Sequence, residues 1–511
     1  LNPVCMLSWS EGEMMKYAIA VLDIGKTNKK LVIFDDKLKQ IDSIFSSFST
    51  IQYEDLDIED IEGIDSWFIE GLKIMGSKYP IKVISVTTHG ATGVCIDKEG
   101  NPSVPVVAYT NEVDEAFHDE FYNIVGTRDD LQVKTATAEV KPLINYAKLL
   151  YFLKKRFPVD FEKTDKVLLY PQYFSYLLTG KTAADYTYAG CHTYLWNFKK
   201  WQWSDVAEKL GILSKLPETI NKPGDILGNI SEKIAKKTNL DPDTIVTTGI
   251  HDSNSSLLPY LINGEENFIL NSTGTWCVVM HPTKELSFAE EELGKMIFYN
   301  ISADEDLVKT AIFMGGLEFE TYIKILQEIH NREDHPGEEI DLIRDIVTQN
   351  EHFILPGVVK GAGQFPDSDP RIIDNRVEFS LKEVTERDVL PPFFKDYKKA
   401  YLVLVLSLAM QTKVAINRIN APTGSPIYIE GGFRHNKNYV KLLASIFPES
   451  PVYLTNIAEA TSYGAALLGK AAWEGKETSD LKEFVNIEFN HIKPAKIDNL
   501  DDYEREFLRQ I

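Results

Sequence analysis

Two strand–turn–strand patterns, about 250 residues apart, constrain the fold of this chain more than any other feature. The first joins two apolar runs through the turn 23–28 (DIGKTN), and the second joins two apolar runs through the hydroxyl-rich turn 272–275 (STGT). A hairpin with glycine and hydroxyl groups in its turn can present backbone N–H groups to a phosphate. Either turn alone is typical of an ordinary hairpin. Their repetition predicts a duplicated domain with a nucleotide held between the two halves.

The residue types of the first turn suit a phosphate and a metal ion. Gly25 lets the backbone approach a ligand, Thr27 can bond phosphate oxygens, and Asp23 can hold Mg²⁺ through water. The segment that follows is strand-like, whereas a P-loop or a dinucleotide-binding glycine motif opens a helix. Neither of those motifs occurs in the chain. The sequence leaves open whether Lys26 faces phosphate or solvent.

Charge and cysteine content exclude several classes of function. The 511 residues carry 54 Lys and Arg against 76 Asp and Glu, a net charge of −22 that is spread along the chain. This balance argues against nucleic acid or an anionic membrane as a partner, and no apolar stretch approaches the ~20 residues of a membrane span. The four cysteines show no CxxC spacing, so neither a zinc site nor a disulfide framework is predicted. A reducing cytoplasm is the simplest location.

The alternation of strand and helix patterns predicts an α/β protein of two to four domains. Residues 1–14 lack any periodicity and are expected to be an extension outside the fold. The predicted domains are 15–256 and 257–480, followed by a charged surface tail at 481–511. A strand is expected at 104–109. Helices are predicted at 143–156, 170–178, 204–211, 397–417 and 438–447.

Asp252 is the strongest candidate for catalysis. It follows an apolar strand and the residues Gly249-Ile250-His251, where a carboxylate can face a cleft and accept a proton from an alcohol. The alternative is that Asp252 caps the following helix. His89 and Gly90 also follow a strand, a common place for a substrate contact in an α/β sheet. His192 and Trp196, beside further tryptophans, are more typical of packing than of function.

These motifs together resemble the FGGY carbohydrate kinases from about residue 16 to residue 475. The resemblance implies two actin-like (ribonuclease H-like) domains, with ATP and Mg²⁺ in the interdomain cleft and the sugar lying deeper. The order and spacing of seven motifs support it: LDIGKTN (22–28), TTHG (87–90), YLLTG (176–180), GIHDSNS (249–255), STGTW (272–276), EGGFRHN (430–436) and EATSYGAA (459–466).

The resemblance also implies roles for individual residues. Asp252 is the expected catalytic base, and Asp23 is the expected metal residue. The expected cofactor-binding residues are Asp23, Gly25, Thr27, Asn28, Gly274, Thr275, Gly431, Gly432 and Asn436. The expected sugar-binding residues are His89, Gly90, Asn111, His251 and Asp252.

Within the family, the pairing of GIHD with STGTW is most similar to L-fuculose and L-rhamnulose kinases. One departure concerns the sugar site: many members have a W-x-D-x-R pattern where this chain has Tyr109-Thr110-Asn111-Glu112-Val113. The Asp and Arg that often hold sugar hydroxyls are therefore missing, and His89 with Asn111 is predicted to take over part of their role.

The expected activity is ATP-dependent phosphorylation of a primary hydroxyl of a ketose, with L-fuculose or L-rhamnulose favoured. The alternative within the enzyme class is a pentulose (xylulose-type) or glycerol kinase. A remote alternative is a non-catalytic actin-like ATP-binding protein, which would not need a carboxylate at position 252. The oligomeric state stays open, with a homodimer as one option.

Overall fold

Two mixed β-sheets, one from each half of the chain, form the centre of the molecule. The computed structural model describes residues 15–457 and 459–511. The extension predicted at 1–14 lies outside the described residues. The continuous apolar runs of the sequence are reflected in the burial of both sheets, because the central strands at 18–24 and 269–273 have no exposed side chains.

The first sheet contains the first hairpin. Its strands are β1 (Ala18–Ile24), β2 (Asn28–Asp35), β3 (Gln40–Ser47), β4 (Ile81–Thr88), β5 (Ile226–Asn229), β6 (Ile245–Thr247) and β7 (Ile250–His251). The strand order is β5-β6-β4-β1-β2-β3, and β7 also pairs with β4. Strands β1 and β2 are antiparallel, whereas β4 runs parallel to β1. The ends of β1, β4 and β7 therefore meet at one edge of the sheet.

The second sheet repeats this arrangement. Its strands are β8 (Ile269–Thr273), β9 (Cys277–Thr283), β10 (Ile297–Ile301), β11 (Leu307–Phe313), β12 (Ile427–Gly431), β13 (Val452–Thr455) and β14 (Phe489–Ile492). The order is β10-β11-β9-β8-β12-β13-β14. Strands β8 and β9 form the antiparallel hairpin, and β12 runs parallel to β8 as β4 does to β1. The hairpin with a parallel neighbour is thus the duplicated unit.

Short strands lie outside the two main sheets. They pair as Ile51–Tyr53 with Leu56–Ile58, Gly93–Ile96 with Lys166–Leu169, Ala184–Asp185 with Ile220–Asn221, Trp196–Asn197 with Gln202–Trp203, and His352–Ile354 with Arg371–Asp374 and Val377–Ser380. The strand predicted at 104–109 is wrong. Only Val107 forms an isolated bridge there, with Ile58, and Pro105 has no N–H group for a ladder.

Seven of the α-helices are labelled: α1 (Arg128–Thr135), α2 (Asp252–Asn263), α3 (Gly315–His330), α4 (Tyr397–Arg418), α5 (Lys437–Ile446), α6 (Ala460–Glu474) and α7 (Leu500–Gln510). The other α-helices are Ile61–Gly76, Glu115–Val125, Tyr146–Arg156, Pro158–Glu162, Tyr170–Thr179, Tyr186–Ala189, Asp205–Lys209, Glu232–Thr238, Ile340–Gln349 and Leu381–Glu386. The predicted helices agree with these bounds to within a few residues.

Helix α4 is the longest of the described helices and lies in the core of the second half. Its first turn is capped by Asp396, whose carboxylate accepts a hydrogen bond from the backbone N–H of Lys399 at 3.1 Å. Contrary to the expectation that no apolar stretch approaches a membrane span, this helix is long and apolar enough to cross a membrane, but 83% of its apolar window is buried inside the protein. Its apolarity is therefore accounted for by packing between the second sheet and the outer helices.

Helix α6 comes from the C-terminal half but packs on the first sheet and on α2. A Cβ atom at Gly464 would lie 1.9 Å from the carbonyl oxygen of Ser255 in α2, and one at Gly469 would lie 2.6 Å from Ser85 Oγ in β4. Glycine at these two positions permits the close approach. Although the sequence assigned residues 460–474 to the second domain, their packing connects the two halves.

The segment predicted to be a surface tail, 481–511, belongs to the fold instead. Strand β14 adds an antiparallel edge to β13. Helix α7 buries Tyr503 and Phe507 completely in the core of the second half. The charged residues of α7 lie on its other faces, because apolar residues at positions 500, 503 and 507 share one face of a helix.

Candidate active site

A cavity of about 330 Å³ lies between the two halves and is lined by both. The first half contributes Lys26, His89 and Asp252, and the second contributes Gly274, Thr275 and Phe298. The two turns that the sequence analysis paired therefore face one space. The candidate base lies between them.

Asp252 is the first residue of α2, directly after β7. Its side chain is 31% exposed and accepts hydrogen bonds from Ser253, at 2.6 Å from the backbone N–H and 3.3 Å from the hydroxyl. The N-cap position belongs to His251, so Asp252 is not the helix cap that sequence analysis left as the alternative. Burial raises the pKa of Asp252 to about 6. A carboxylate with such a pKa is ionised at neutral pH and can accept a proton.

Asp23 is buried near the end of β1 and is outside the set of described residues that line the cavity. The hydroxyl of Ser462 in α6 donates a hydrogen bond of 2.6 Å to Asp23 Oδ2. Burial is the main reason that the pKa of Asp23 is raised to about 6, and the negative charge of Asp252 adds to it. Lys30, which is ion-paired with Glu459 at 2.6 Å, opposes this shift. Two carboxylates close enough for the charge of one to raise the pKa of the other favour a bound cation.

A buried lysine, Lys29, stabilises the backbone of the first turn. Lys29 donates hydrogen bonds to the carbonyl oxygens of Gly25 at 3.0 Å and Lys26 at 2.7 Å, and burial lowers the pKa of Lys29 to about 8. The turn closes through a 3.0 Å hydrogen bond from the N–H of Gly25 to the carbonyl of Asn28. Thr27 and Asn28 are exposed at its tip. The fixed backbone leaves the tip available to a ligand.

The second turn packs against the first residues of α3. Gly274 and Thr275 are exposed, and the N–H of Gly274 donates to the carbonyl of Trp276 at 3.0 Å. A Cβ atom at Gly316 would lie 2.0 Å from the carbonyl oxygen of Gly274. Sequence analysis missed this support. The signal was available as Gly315-Gly316 after a strand, a pattern that brings a helix N-terminus close to neighbouring backbone.

Gly431 and Gly432 form a bare stretch of backbone beside the second turn. Gly431 has φ +76°, and a Cβ atom there would lie 1.9 Å from the carbonyl oxygen of Thr273. Both glycines are exposed, so a flat ring or a ribose can lie on this surface. Asn436 caps α5 by accepting from the N–H of Tyr439 at 3.2 Å, and its amide donates to the Tyr401 hydroxyl at 3.0 Å. Asn436 thus orders the segment after the glycines.

Three histidines line the cavity in neutral form. Burial lowers the pKa of His89, His192 and His251 to about 3 each. His89 Nδ1 lies 2.9 Å from the carbonyl of Gly90, which places the proton on Nδ1. Its Nε2 is then a buried acceptor without a partner among residues 15–457 and 459–511. A hydroxyl group in the cavity would satisfy it.

His251 and His192 complete this group. His251 Nε2 lies 3.4 Å from Asp252 Oδ1 and 3.5 Å from Cys191 Sγ. A Cβ atom at Gly90 would lie 2.8 Å from the same nitrogen, so glycine is required there. His192, predicted to be a packing residue, lines the cavity with its ring centroid 4.3 Å from that of Phe298. No sequence motif marked His192.

Asn111 does not reach the cavity, contrary to the predicted sugar contact. Its amide oxygen accepts a hydrogen bond from the N–H of Asp57 at 2.9 Å, and its NH₂ donates to the carbonyls of Asp57 and Ala108, each at 2.7 Å. These bonds hold two loops together and occupy the amide. Tyr109 lines the cavity in its place. Trp196 is buried in the core, as predicted.

Two sheets that present matching turns to one cleft, with an ionisable carboxylate between the turns, have the arrangement that phosphoryl transfer to an alcohol requires. The chain belongs to the FGGY family of carbohydrate kinases. Residues 18–259 match the N-terminal domain of that family, and residues 265–478 match the domain described as "Carbohydrate kinase FGGY, C-terminal domain". The resemblance seen in the sequence motifs is thereby confirmed, as is the assignment to the phosphotransferases.

Curated relatives match over part of their length. A rhamnulokinase of Halalkalibacterium halodurans is 28% identical over 280 residues, which cover 52% of this chain and 56% of the relative. An L-fuculokinase of Escherichia coli K12 is 24% identical over 278 residues, which cover 52% of this chain and 57% of the relative. The chain thus matches about half the length of these relatives.

Solved structures match over almost the whole chain. A carbohydrate kinase from Novosphingobium aromaticivorans superposes with a TM-score of 0.76 at 25% identity, covering 98% of this chain and 99% of the other. A gluconate kinase from Lactobacillus acidophilus superposes with a TM-score of 0.79 at 18% identity, covering 96% of each chain, and shows the fold alone. The predicted two-domain fold is confirmed.

Proposed function

We propose that this protein transfers the γ-phosphoryl group of ATP to a primary hydroxyl of a neutral ketose, with L-fuculose or L-rhamnulose favoured. The observation that carries the proposal is the position of Asp252: a partly exposed carboxylate on the cavity wall, between the two turns. Phosphoryl transfer to an alcohol requires positioning, charge neutralisation and a group that accepts the hydroxyl proton. Asp252 supplies the last of these.

The cleft fits the nucleotide and metal that such a reaction uses. The bare backbone at Gly431 and Gly432 would hold the adenosine, and Asp23 would hold Mg²⁺ through water. The exposed turn residues that would bond the phosphates are Thr27, Asn28, Gly274 and Thr275. Bound Mg²⁺ would neutralise charge on the phosphates. Asp252 would take the proton as the sugar oxygen bonds to phosphorus and ADP leaves.

The walls of the cavity support a neutral, partly apolar sugar. The three imidazoles are uncharged and offer hydrogen bonds to hydroxyl groups. An apolar wall is formed by Val140, Ile144, Phe298 and Ile312. L-fuculose and L-rhamnulose each carry a methyl group at C6, and burying a methyl group against such a wall is favourable. A pentulose or glycerol would leave this wall uncovered.

A sugar panel with coupled detection of ADP tests the proposal. L-fuculose, L-rhamnulose, D-xylulose, glycerol and D-gluconate are each supplied with ATP and Mg²⁺. The highest kcat/KM is expected for one of the two deoxyketoses. Preference for D-xylulose or glycerol would favour the alternative kinase, and ADP release unaffected by any sugar would favour a non-catalytic ATP-binding protein. The reducing cytoplasm is the proposed location, consistent with three free cysteines at positions 95, 191 and 277.

A further inference from the structure

We infer that Lys26 is a sugar-binding residue that, anchored on Glu59, donates hydrogen bonds to sugar hydroxyls in place of the missing Asp and Arg. The inference rests on the proposed function in that a sugar must occupy the cavity. The sequence left open whether Lys26 faces phosphate or solvent, and the structure shows that its side chain lines the cavity. It also replaces Asn111, whose amide is occupied elsewhere.

The position of Lys26 is set by two partners. Its ammonium forms an ion pair with the carboxylate of Glu59, and the nitrogen lies 4.7 Å from the centroid of the Tyr109 ring. The Glu59 side chain is only 3% exposed, whereas that of Lys26 is 29% exposed. Lys26 is therefore the accessible member of a charged pair whose other member is fixed inside the protein.

The anchor is rigid because its backbone is ordered. The N–H of Glu59 donates to the carbonyl of Val106 at 2.8 Å. The next residue, Asp60, caps the helix Ile61–Gly76 by accepting from the N–H of Gly63 at 3.0 Å. An ammonium held in this way keeps its place, so it loses little side-chain entropy when a ligand binds.

The chemistry of the pair suits hydroxyl groups. An ammonium has three donors, and the contact with Glu59 uses one of them. The remaining donors can bond sugar oxygens, and such charge-assisted bonds are stronger than neutral ones. The missing Asp and Arg would likewise have supplied a carboxylate and a cationic donor.

Neighbouring residues place Lys26 on the sugar side of the cavity. The rings of His89 and Tyr109 contact each other with centroids 5.9 Å apart, and the charge of Lys26 contributes to the lowered pKa of His89. A different cation, Lys30, lies beside Asp23 on the phosphate side. Because Glu59 already balances its charge, Lys26 is better suited to a neutral hydroxyl than to a transferring phosphoryl group.

Lys26→Met tests the inference, because it removes the ammonium and keeps most of the aliphatic stem. The KM of the sugar is expected to rise at least tenfold, while the KM of ATP stays within twofold of wild type. Lys26→Arg should restore part of the loss. Glu59→Gln acts through Lys26 and should raise the sugar KM more than it lowers kcat.

Lys155→Met is a matched control. Lys155 forms an ion pair with Glu120 and lies 5.6 Å from the Tyr151 ring centroid, the same arrangement on the outer surface. Its loss should leave both KM values unchanged. Thermal unfolding of each variant separates misfolding from lost binding.

An unchanged sugar KM in Lys26→Met, with sugar turnover intact in the wild type, would overturn the inference alone. A rise in the ATP KM or a fall in kcat without a change in the sugar KM would also overturn it. If the wild type binds a sugar without phosphorylating it, the proposed function fails but the inference can still be tested. Calorimetry then gives the sugar Kd of the wild type and of Lys26→Met. Tenfold weaker binding by the variant would support the inference, and equal binding would overturn it. Absence of any sugar binding would overturn both.

Discussion

Ser462 Oγ donates a hydrogen bond of 2.6 Å to Asp23 Oδ2, although the two residues are 439 positions apart in the chain. The bond joins the first turn of α6 to the end of β1. It fixes the carboxylate that we propose as the metal residue, and a hydrogen bond to a charged group contributes about 1.5–3 kcal/mol. The orientation of a group in the first half therefore depends on a helix from the second.

We expect Ser462→Ala to raise the Mg²⁺ concentration for half-maximal activity about three- to tenfold, with kcat at saturating Mg²⁺ close to wild type. The reason is that Asp23 loses the donor that holds its carboxylate. Titration of ADP formation against Mg²⁺ measures this. Ser77→Ala, which removes an exposed hydroxyl that donates a hydrogen bond to the carbonyl of Ile74, serves as the control. An identical Mg²⁺ requirement in both variants would contradict the role of Ser462.

Asp252→Asn should retain ATP binding and lose at least 99% of turnover, because the amide cannot accept the hydroxyl proton. In the wild type, kcat should fall as the pH is lowered through about 6, where Asp252 and Asp23 become protonated. Nucleotide titration and a pH–rate profile provide the measurements. Turnover near the wild-type level would refute the assignment of the base.

The same substitution should stabilise the protein at alkaline pH. The pKa of Asp252 is raised from 3.8 to about 6, so the folded state disfavours the charge that the unfolded chain carries above pH 3.8. The charge of Asp252 therefore lowers the free energy of unfolding by at most about 3 kcal/mol. This effect is fully present above pH 6 and disappears below pH 4. Solvent in the cavity screens part of it, so Asp252→Asn should gain about 1–2 kcal/mol at pH 8. Urea unfolding at pH 8 and pH 4 should show the gain at pH 8 only.

His89→Ala should weaken sugar binding, whereas Asn111→Ala should lower the stability of the protein. His89→Ala removes a buried acceptor that faces the cavity, and we expect the sugar KM to rise about five- to thirtyfold, since one hydrogen bond is worth about 1–2 kcal/mol. Asn111→Ala leaves the backbone N–H of Asp57 without its side-chain acceptor, so it should cost about 1–3 kcal/mol of stability and leave the sugar KM within twofold. Steady-state kinetics with urea unfolding compares them. A sugar KM that changes more in Asn111→Ala would restore the original expectation for that residue.

Gly431→Ala should raise the KM of ATP at least tenfold. The added Cβ would lie 1.9 Å from the carbonyl oxygen of Thr273, so β12 or the second turn must shift. Gly180→Ala is the control for backbone strain alone, because Gly180 has a similar φ of +75° with no atom within 4 Å of the added Cβ. It should lose about 1 kcal/mol of stability without a change in the ATP KM. Equal nucleotide kinetics in the two variants would rule out the proposed adenosine surface.

Phe507→Ala should cost about 3–5 kcal/mol of stability, because it removes a fully buried ring from the core of the second half. The adjacent Leu508 is 40% exposed, and Leu508→Ala should change stability by no more than about 0.5 kcal/mol. Thermal or urea unfolding distinguishes them. Two equally mild effects would mean that 481–511 is the surface tail that its charge suggests.

The parts of the site that depend on local pattern were predictable. The two hairpins, the glycine pairs and the carboxylate after β7 are properties of short segments, because strand alternation and turn chemistry act over a few residues. The core helix at 397–418 was equally predictable, since it has apolar residues around more of its circumference than a surface helix has. The predicted sugar contact of Asn111 was wrong for a tertiary reason. The motif shows which residues precede and follow Asn111 in the sequence, but it does not show that the backbone of Asp57 occupies the amide.

The sequence by itself determined the two similar hairpins, the strand-terminal carboxylate and the resemblance to the FGGY family, since each motif depends on nearby residues. Tertiary structure decided which side chains share the cavity. Tertiary packing turned Lys26 toward Glu59 and brought His192 beside Phe298. The packing of α6 on the first sheet placed Ser462 on Asp23. These contacts join residues far apart in the chain, and their geometry follows from how whole elements pack.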